Sequence, residues 1–534
     1  MHCTHHLLIQ QRQLLLEYPP PCVALGRHFL SASTPWFLAT PNARGCRPAT
    51  HCHCRTPSPP SLRTGSLCQQ RTHHPQAQQR HPHQLHIPID TIPSIPIENT
   101  IPHTPLLRAR SYRAPHDASA PHPFKPLNGY LAVRPEPLPR APENVFVFRR
   151  ASDGAPLGWR NVFQLPIQYD VELCRGGVLS ADCTALATRL MPASGDLRRR
   201  FLVVDAAVQE LYGAAIAKYF DHHGIEVHTV VLPGEECNKR MEAVDAILEQ
   251  LCVFGLLRRE PIIGIGGGVL LDIVGLAANL YRRGVPYIRV PTTLLALVDA
   301  SVGVKNGVDY CSCACGPQKN RVGSFYAPAA ALLDKTFIAT QDARNVVNGL
   351  GEVMKLALVR SAELFCLLEA HGARLVRERF QGADPVADRV IELSIQIMLE
   401  ELGPNLWEEK LERCVDYGHT FSKILEMEPG ADLMHGEAVN VDGALCVVLA
   451  ANRGLISAAV RDRVFAAMRG VGLPTLHPAV TPAALAQGLA DAVQHRNGAQ
   501  RIPLLTGIGA AVCVNDITPA ELEVACAQLW AMHA

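Results

Sequence analysis

The chain has 534 residues, which is enough for two or three domains and a large core. Its formal net charge is +1, so the composition gives no sign of a nucleic-acid or membrane-surface partner. No apolar run reaches the ~18 residues that a membrane-spanning helix needs. The 18 cysteines include no C-x-x-C pair and are typical of reduced thiols. We therefore expect a soluble, intracellular protein.

Residues 1–145 differ in composition from the rest of the chain. They hold more than half of the prolines and 14 of the 23 histidines, but a single lysine, Lys125. A stretch of this composition cannot build a periodic apolar face, so we expect residues 1–145 to be disordered. Its Arg-rich, acid-poor character is typical of an organelle transit peptide, which would place the protein in a plastid stroma rather than the cytoplasm. A linker and a wrongly extended gene model are the alternatives.

From residue 146 the pattern alternates between short apolar runs and amphipathic stretches. The runs RFLVVDA, EVHTVVLP, EPIIGIG and PYIRVPTT predict buried strands, and the stretches between them predict helices. Such alternation predicts an α/β fold with a parallel, Rossmann-like sheet over residues 146–325. After Tyr326 the strand signals fade, which predicts a mostly helical second domain over residues 326–534.

A glycine-rich turn joins the third predicted strand to its helix. Gly266, Gly267 and Gly268 would let the backbone approach a pyrophosphate at the helix N-terminus. The turn lacks the G-x-G-x-x-G spacing and the usual acid some twenty residues later, so a plain strand-to-helix turn is the alternative. Thr292 and Thr293 close the next strand, and their hydroxyls would face the same cleft.

Two histidines with glycine neighbours, His419 and His435, lie sixteen residues apart in a helical stretch. By themselves they do not decide between ordinary helix histidines and metal ligands. Cys311, Cys313 and Cys315 in the run CSCACG could bind a soft metal ion. A loop insertion with incidental cysteines is the simpler interpretation of that run.

Seven motifs follow one another along the chain: GGGVLLDIVG, YRRG, PTTLLALVDASVGVK, KNRVGSFY, GLGEVMK, DYGHTF and HGEAV. In this order they resemble the sugar phosphate cyclases, the 3-dehydroquinate synthase-like family. The resemblance covers about 380 residues, from roughly Gly158 to the C-terminus, and leaves the N-terminal extension out. It implies an NAD-binding α/β domain followed by a helical, metal-binding domain, usually in a homodimer.

The resemblance also implies three metal ligands and a set of residues around them. The metal of the family is normally zinc, with cobalt as the alternative, and the implied ligands are Glu352, His419 and His435. Three protein ligands would leave positions open for substrate oxygens. The implied catalytic residues are Asp299, Lys305, Lys355, Asp416 and His495. The implied substrate contacts are Arg283, Lys319, Asn320 and Arg496.

The redox cofactor implied by the resemblance is NAD. The expected contacts comprise the glycine turn and residues on either side of it: Asp205, Glu236, Lys239, Gly266, Gly267, Gly268, Asp272, Thr292 and Thr293. Glu236 and Lys239 resemble the family's G-E-x-x-K nucleotide contact, but with a shifted spacing. The cluster of lysine and arginine among the implied contacts suits a sugar phosphate as substrate.

Two positions before the G-H-T motif distinguish branches of the family. Dehydroquinate synthases carry Asn before x-G-H-T and Arg four residues earlier, whereas this chain has Asp416 and Glu412. Acids there would repel the carboxylate of a dehydroquinate precursor. Together with the run PNL, this favours the branch that cyclises sedoheptulose 7-phosphate. Asp416, the pair His495 and Arg496, and HGEAV favour 2-epi-5-epi-valiolone as product over desmethyl-4-deoxygadusol.

Other interpretations stay open at the level of sequence. Metal-dependent polyol and glycerol-phosphate dehydrogenases share this architecture but would accumulate NADH, whereas a cyclase recycles its cofactor. The intact ligand set argues against a scaffold that has lost activity. Three departures from the family pattern bear on phosphate binding: Lys423 in place of His or Pro, Asp309 in place of Asn, and the CSCAC insertion before Lys319.

Overall fold

The structure is a computed structural model that describes residues 136–137, 145–150, 152–162, 165–191, 198–312 and 316–533. Most of the extension 1–145, with its predicted disorder and transit peptide, lies outside the described residues. Cys313 and Cys315 also lie outside them. No helix in the described part of the chain is long and apolar enough to cross a membrane.

The secondary structure comprises thirteen strands and twelve helices within the described residues. The strands are β1 (Glu136–Pro137), β2 (Val145–Arg149), β3 (Pro156–Asn161), β4 (Asp170–Leu173), β5 (Arg199–Asp205), β6 (Glu226–Leu232), β7 (Ile262–Gly266), β8 (Tyr287–Pro291), β9 (Lys305–Ser312), β10 (Gly316–Phe325), β11 (Ala330–Leu333), β12 (Ile502–Gly507) and β13 (Ala510–Val514). The helices are α1 (Ala185–Thr188), α2 (Ala206–His222), α3 (Met241–Phe254), α4 (Gly268–Leu280), α5 (Ala343–Arg360), α6 (Ala362–Arg377), α7 (Val386–Leu402), α8 (Ser422–Met427), α9 (His435–Asn452), α10 (Ala458–Gly470), α11 (Pro482–His495) and α12 (Pro519–Ala531). A π-helical turn spans Ala296–Ala300, and short 3-10 turns span Tyr281–Arg283 and Cys414–Asp416.

A small antiparallel sheet in the order β1-β2-β3 belongs to the compact unit that precedes residue 165. β1 falls inside the predicted disordered extension, so ordered structure begins before residue 146. Its two residues pair with Val147 and Phe146. A strand of two residues is too short to leave a hydrophobic period in the sequence.

The compact unit from residue 165 onward is built on a six-stranded sheet in the order β4-β11-β8-β7-β5-β6. Every pairing in this sheet is parallel, which confirms the predicted Rossmann-like architecture. The chain passes from β5 to β6 and then returns to place β7 on the other side of β5. Such a reversal opens a crevice at the carboxyl ends of β5 and β7, where sheets of this kind bind ligands.

Alternate side chains of β5 pack into two hydrophobic cores on opposite faces of the sheet. Phe201 and Val203 pack in the core that includes α3 and α4, whereas Leu202 and Val204 pack in the core that includes α2. All four side chains are fully buried. This explains why β5 reads as a continuous apolar run rather than as an alternating one.

The sheet extends beyond the predicted domain boundary at residues 325 and 326. β11 follows that boundary and pairs with both β8 and β4. A four-residue apolar run cannot be told from a turn of helix by periodicity, which is why the prediction misses it. The sequence analysis did not predict the hairpin β12–β13 either. The C-terminal part is therefore mostly but not wholly helical.

α5 and α9 cross at two glycines. A methyl group on Gly351 would lie 2.2 Å from the carbonyl oxygen of Gly436, and one on Gly436 would lie 1.9 Å from that of Asn348. Only glycine lets the two backbones approach so closely. Because Glu352 follows Gly351 and His435 precedes Gly436, the crossing sets the distance between these two side chains.

We expect Gly351→Ala to lower the free energy of unfolding by about 3 kcal/mol, since the added methyl meets backbone that no side-chain rotation can move. Gly470→Ala is the matched control, because a methyl on this helical glycine would meet nothing within 4 Å. The control should leave stability unchanged or raise it by up to ~1 kcal/mol. Denaturant unfolding monitored by circular dichroism measures both, and equal stability of the two variants would contradict the packing argument.

Candidate metal and cofactor site

Three side chains from separate segments meet at the crossing of α5 and α9. Glu352 lies on α5, His435 is the first residue of α9, and His419 lies in the loop before α8. Nε2 of His435 lies 3.3 Å, and Nε2 of His419 3.5 Å, from the same Oε1 atom of Glu352. One ligand atom from each residue lies within 4.8 Å of the others. The fold thus brings together the three side chains that the family pattern implies as ligands.

The second nitrogen of each ring is held by a hydrogen bond. Nδ1 of His419 donates to the carbonyl oxygen of Tyr417 at 3.1 Å, and Nδ1 of His435 donates to Oε1 of Glu426 at 2.8 Å. Donation through Nδ1 leaves Nε2 of each ring as the nitrogen that faces Glu352 and is placed to bind a metal. Metal-bound histidines are generally oriented by carboxylates or carbonyls in this way.

The carboxylate of Glu352 is fully buried, and neither oxygen has a hydrogen-bond partner among the described residues. Lys355, one turn further along α5, forms an ion pair with it. A buried carboxylate in this state is costly unless further positive charge completes its surroundings. Two histidines and one glutamate are a common catalytic zinc set that leaves a position open. The residues present therefore fit zinc or a similar divalent metal.

The charges around the cluster set the protonation of its members. Burial, and then the charge of Lys355, lower the pKa of His419 to about 3, so this ring is neutral. Burial disfavours a proton on His435, but Glu426 and Glu352 outweigh it and raise its pKa to about 10. Burial would raise the pKa of Glu352, yet Lys355 and the histidines hold it well below its ordinary value. A metal ion would therefore displace the proton of His435.

Asp299 and Lys355, two of the implied catalytic residues, lie beside this cluster. Burial, and then the charge of Glu352, raise the pKa of Asp299, while Lys355 opposes the shift. Burial would lower the pKa of Lys355, but Glu352 and Asp299 raise it. Lys355 is therefore a buried cation between two carboxyl groups.

A second charged network borders the cluster and contains Lys305 and Asp416. Nη2 of Arg413 lies 2.9 Å from Oδ1 of Asp416, and its Nη1 contacts Glu408. Glu408 in turn lies 2.9 Å from Nζ of Lys305. Burial would raise the pKa of Asp416, but Arg413 and Arg496 lower it. Asp416 is therefore an ionised carboxylate next to the metal ligands.

Glu412, the second acid expected to repel an acidic substrate, is exposed. The side chain of its neighbour Arg413 is only 12% exposed and points to Asp416 instead. The electrostatic argument against an acidic substrate therefore rests on Asp416 and not on Glu412.

The hairpin β9–β10 carries the implied phosphate contacts. Nζ of Lys319 contacts Glu426 and lies 3.1 Å from Oε1 of Glu236. Asn320 has a left-handed φ of 52°, and its N–H donates to Oδ1 of Asp309 at 2.7 Å. Asp309, which departs from the family pattern, thus holds the backbone of Asn320. Despite the insertion at the hairpin tip, Lys319 lies within reach of the metal cluster.

A buried acid on α9 holds the loop that carries His419. Asp442 is fully buried, and its Oδ2 accepts three backbone N–H groups at 2.8, 2.6 and 3.0 Å. These N–H groups belong to Thr420, Phe421 and Ser422. The carboxylate therefore satisfies the N-terminus of α8 immediately after the histidine.

Arg496, an implied substrate contact, is buried instead of facing the cleft. Its guanidinium donates to Oγ1 of Thr420 at 3.3 Å and to the carbonyl oxygens of Gln500 and Arg501 at 2.8 and 3.2 Å. All three bonds are made by Nη1, and they tie the end of α11 to the His419 loop. Arg496 therefore has a structural role through Nη1, and its contact with substrate stays a prediction.

Further basic side chains lie near Asp416. Burial, and then the charges of Lys305 and Arg496, lower the pKa of Lys423. His495 is the last residue of α11, and partial burial and then the charge of Lys423 lower its pKa. Lys423 and His495 therefore lie close enough to Asp416 for its charge to act on them.

The glycine turn lies where the crevice of the sheet opens. β7 ends at Gly266, Gly267 caps α4, and α4 begins at Gly268. A methyl group on Gly267 would lie 3.3 Å from Cγ2 of Thr293, and the N–H of Thr292 donates to the carbonyl oxygen of Gly266 at 3.0 Å. The turn and the threonine pair thus share one edge of the sheet. The N-terminus of α4 at this edge suits a pyrophosphate.

The other implied cofactor residues surround the same turn. Asp205 ends β5, and its carboxylate caps α2 by accepting the N–H of Ala207 at 2.9 Å. Nζ of Lys239, which is buried, lies 2.7 Å from Oδ2 of Asp272 on α4. This ion pair links the loop after β6 to the helix that follows the glycine turn.

Arg283 is the one implied substrate contact that lies far from the cluster within the described chain. α4 runs for 13 residues away from the glycine turn, which is about 20 Å of helix, and Arg283 follows its end. Arg283 is exposed, and its φ of 64° marks a left-handed turn. Within one chain it therefore lies at the opposite edge of the sheet.

Glu437 of the HGEAV motif has its charge engaged away from the metal ligands. Its carboxylate lies 2.7 and 2.8 Å from the guanidinium of Arg344, and it accepts the N–H of Met434 at 2.9 Å. The residue therefore caps α9 and fixes its first turn. Its role in product choice would have to act through the position of His435.

Four candidate site residues are not predicted from the sequence: Glu408, Arg413, Glu426 and Asp442. Asp442 lies seven residues after His435, two turns along the same helix, and an acid inside an apolar run is a sign of a buried role. Glu426 lies seven residues after His419, and the sign of a buried role is weaker there than at Asp442. Glu408 and Arg413 lie on an irregular loop, where no period points to them.

Comparisons with known proteins place these observations in one family. The N-terminal and C-terminal family models of 3-dehydroquinate synthase match residues 229–348 and 349–493. A 2-epi-5-epi-valiolone synthase of Actinoplanes sp. is 51% identical over 373 residues, which are 69% of this chain and 92% of that relative. One of Streptomyces albus is 48% identical over 373 residues, covering 69% of this chain and 89% of that relative.

A solved structure agrees with the sequence comparisons. It is ValA, a 2-epi-5-epi-valiolone synthase of Streptomyces hygroscopicus subsp. jinggangensis 5008, with NAD+ and Zn2+ bound. It is 45% identical with a TM-score of 0.63, and the match covers 70% of this chain and 100% of that chain. This chain belongs to the sugar phosphate cyclases, the 3-dehydroquinate synthase-like family.

We expect Glu352→Gln to weaken zinc binding by more than about 100-fold, since losing an outer-shell partner alone typically costs 10–100-fold. Glu437→Gln is the matched control, because it removes another buried carboxylate near His435 that binds only Arg344 and the backbone. Zinc content after dialysis against a chelator, measured by mass spectrometry, separates the two. Full zinc occupancy in Glu352→Gln would contradict the ligand assignment.

Proposed function

We propose that this protein cyclises sedoheptulose 7-phosphate to 2-epi-5-epi-valiolone with release of phosphate. It is a phosphate-eliminating carbon–oxygen lyase whose cofactors are NAD and a divalent metal, zinc or cobalt. The observation that carries the proposal is the ionised Asp416 beside the cluster of Glu352, His419 and His435. That arrangement combines a metal site with a carboxylate suited to a polyhydroxyl chain.

Glu352, His419 and His435 would hold the metal, which would supply polarisation of a substrate oxygen, and NAD held at the glycine turn would supply reversible hydride transfer with no net oxidation. Lys355, held charged in its buried position, stabilises negative charge on the same substrate oxygen. The raised pKa of Asp299 suits it to hold a proton close by. Lys305 and Lys319 supply the positive charge that a phosphate group needs.

Asp416 supports a neutral sugar over an acid as the carbon chain of the substrate. An ionised carboxylate accepts hydrogen bonds from hydroxyl groups and has no donor to offer a second carboxylate. Arg413, its partner at 2.9 Å, also contacts Glu408 and, against the effect of burial, lowers the pKa of Asp416, which keeps that carboxylate charged. A dehydroquinate precursor would therefore meet repulsion here.

A homodimer would give Arg283 a place in this scheme. Within one chain the residue lies a helix length from the metal cluster, so its family role as a phosphate contact requires a second copy. Arg283 of one copy would then complete the phosphate site of the other. This proposal is separate from the chemistry assigned to the cluster.

Incubation of the full chain with NAD, zinc and sedoheptulose 7-phosphate should release phosphate and form 2-epi-5-epi-valiolone without accumulating NADH. Mass spectrometry and NMR identify the product, and absorbance at the NADH band follows the cofactor. The dehydroquinate precursor should give at least a tenfold lower rate, because one like-charge contact of ~1.4 kcal/mol corresponds to a factor of ten.

Each other outcome of this assay is diagnostic. Desmethyl-4-deoxygadusol as product would mean that Asp416 and His495 do not choose 2-epi-5-epi-valiolone. Turnover of the acid precursor alone would make the protein a dehydroquinate synthase. Steady accumulation of NADH would point to a polyol dehydrogenase.

Arg283→Ala and Glu352→Gln should each be inactive alone and recover activity when their subunits are exchanged. Half of the mixed molecules are heterodimers with one complete site, so about a quarter of wild-type activity should return. Size-exclusion chromatography confirms that mixed dimers form. No recovery in confirmed heterodimers would show that Arg283 does not act across subunits.

A further inference from the structure

The carboxylate of Glu426 contacts two separate parts of the site. Its Oε1 accepts from Nδ1 of His435 at 2.8 Å, and its Oε2 forms an ion pair with Nζ of Lys319. The side chain is 6% exposed and the lysine side chain 13% exposed, so both are shielded from solvent. A buried carboxylate with one oxygen on each partner has little freedom to turn.

We propose that Glu426 is a positioning residue that holds the metal ligand His435 and the phosphate-binding Lys319 in one fixed arrangement. The inference rests on the proposed function for the role of Lys319, but not for the contacts themselves. Glu426 lies on α8, His435 on α9, and Lys319 on the hairpin β9–β10. One side chain therefore connects three elements that come from distant parts of the chain.

The two carboxylate oxygens of Glu426 bind different partners. Oε1 keeps Nδ1 of His435 as the donor, which directs Nε2 toward Glu352 and the metal position. Oε2 holds Lys319 at the edge of the cluster. Glu236 also approaches Lys319, at 3.1 Å, but its side chain is 48% exposed. Glu236 is therefore the weaker anchor, since solvent screens an exposed pair.

The chain also supplies matched controls for the two halves of the proposal. Glu236→Gln removes an acid that contacts Lys319 but makes no described contact with His435. Lys319→Met removes the cation but leaves the bond between Glu426 and His435 in place. A positioning role predicts that zinc binding responds to Glu426 alone, while phosphate binding responds to both Glu426 and Lys319.

The test uses the full chain with zinc and inorganic phosphate as probes, so it requires no turnover. Zinc affinity is measured by competition with a chromophoric chelator, and phosphate affinity by calorimetry at saturating zinc. Glu426→Gln should weaken zinc binding 10–100-fold and also weaken phosphate binding, because Lys319 is no longer fixed. Glu236→Gln and Lys319→Met should keep zinc affinity within about twofold of wild type, as neither touches a ligand.

Several results would overturn the proposal. These are wild-type zinc affinity in Glu426→Gln, weakened zinc binding with unchanged phosphate binding, and a wild-type protein that does not bind phosphate. If Glu426→Gln fails to fold, Glu426→Asp keeps the charge but is one methylene too short to span both partners. Zinc and phosphate affinities both equal to wild type in Glu426→Asp would equally overturn it. Neither probe is turned over, so the zinc and phosphate affinities can be interpreted even if the cyclase assay fails.

Discussion

The close crossing of α5 and α9 at Gly351 and Gly436 is the constraint on which the site depends. Each glycine faces backbone oxygen at a distance that no other residue allows. Glu352 and His435 are the immediate neighbours of these glycines, so the close contact of the two helices sets the distance between two candidate metal ligands. The helices could not be moved apart to fit larger side chains without separating the ligands.

α9 extends this control to the third ligand. Its first residue is His435, and Asp442, two turns later, holds the loop that contains His419 through three backbone N–H groups. The helix is buried almost throughout, from Gly436 to Ala450. A helix fixed on all sides by the core is a rigid platform, and rigid supports are what a precise catalytic geometry needs.

The site also shows how a protein keeps many charges in a buried place. Glu352, Asp299 and Lys355 form one group, and Asp416, Arg413, Glu408 and Lys305 form another. In each group acids and bases alternate, so most of the desolvation cost is offset by an opposite charge at close range. Glu352 faces Lys355 and the Nε2 atoms of both histidines, and a metal cation would take the place of the proton that His435 holds there.

Much of this could be predicted from the sequence. Four strands of the sheet, β5 to β8, were visible as apolar runs, because a strand buried on both faces is uninterrupted, as in β5. The glycine turn was visible because its position between strand and helix is local. The motif pattern placed Glu352, His419 and His435 together by resemblance, and the fold and the geometry agree with it. β1, β4 and β11 were missed because strands of two or four residues carry no period.

What the sequence by itself determined is therefore local: which segments are strands or helices, where the glycines interrupt them, and which side chains have suitable chemistry. Only the tertiary structure decided which of those side chains meet. Arg496 and Glu437 make bonds within the protein that the sequence does not show, and Arg283 is carried to the far edge of the sheet by α4. Glu426 and Asp442 gain their importance from contacts between residues distant in sequence. Local preference acts over a few residues, whereas these contacts depend on how whole helices pack.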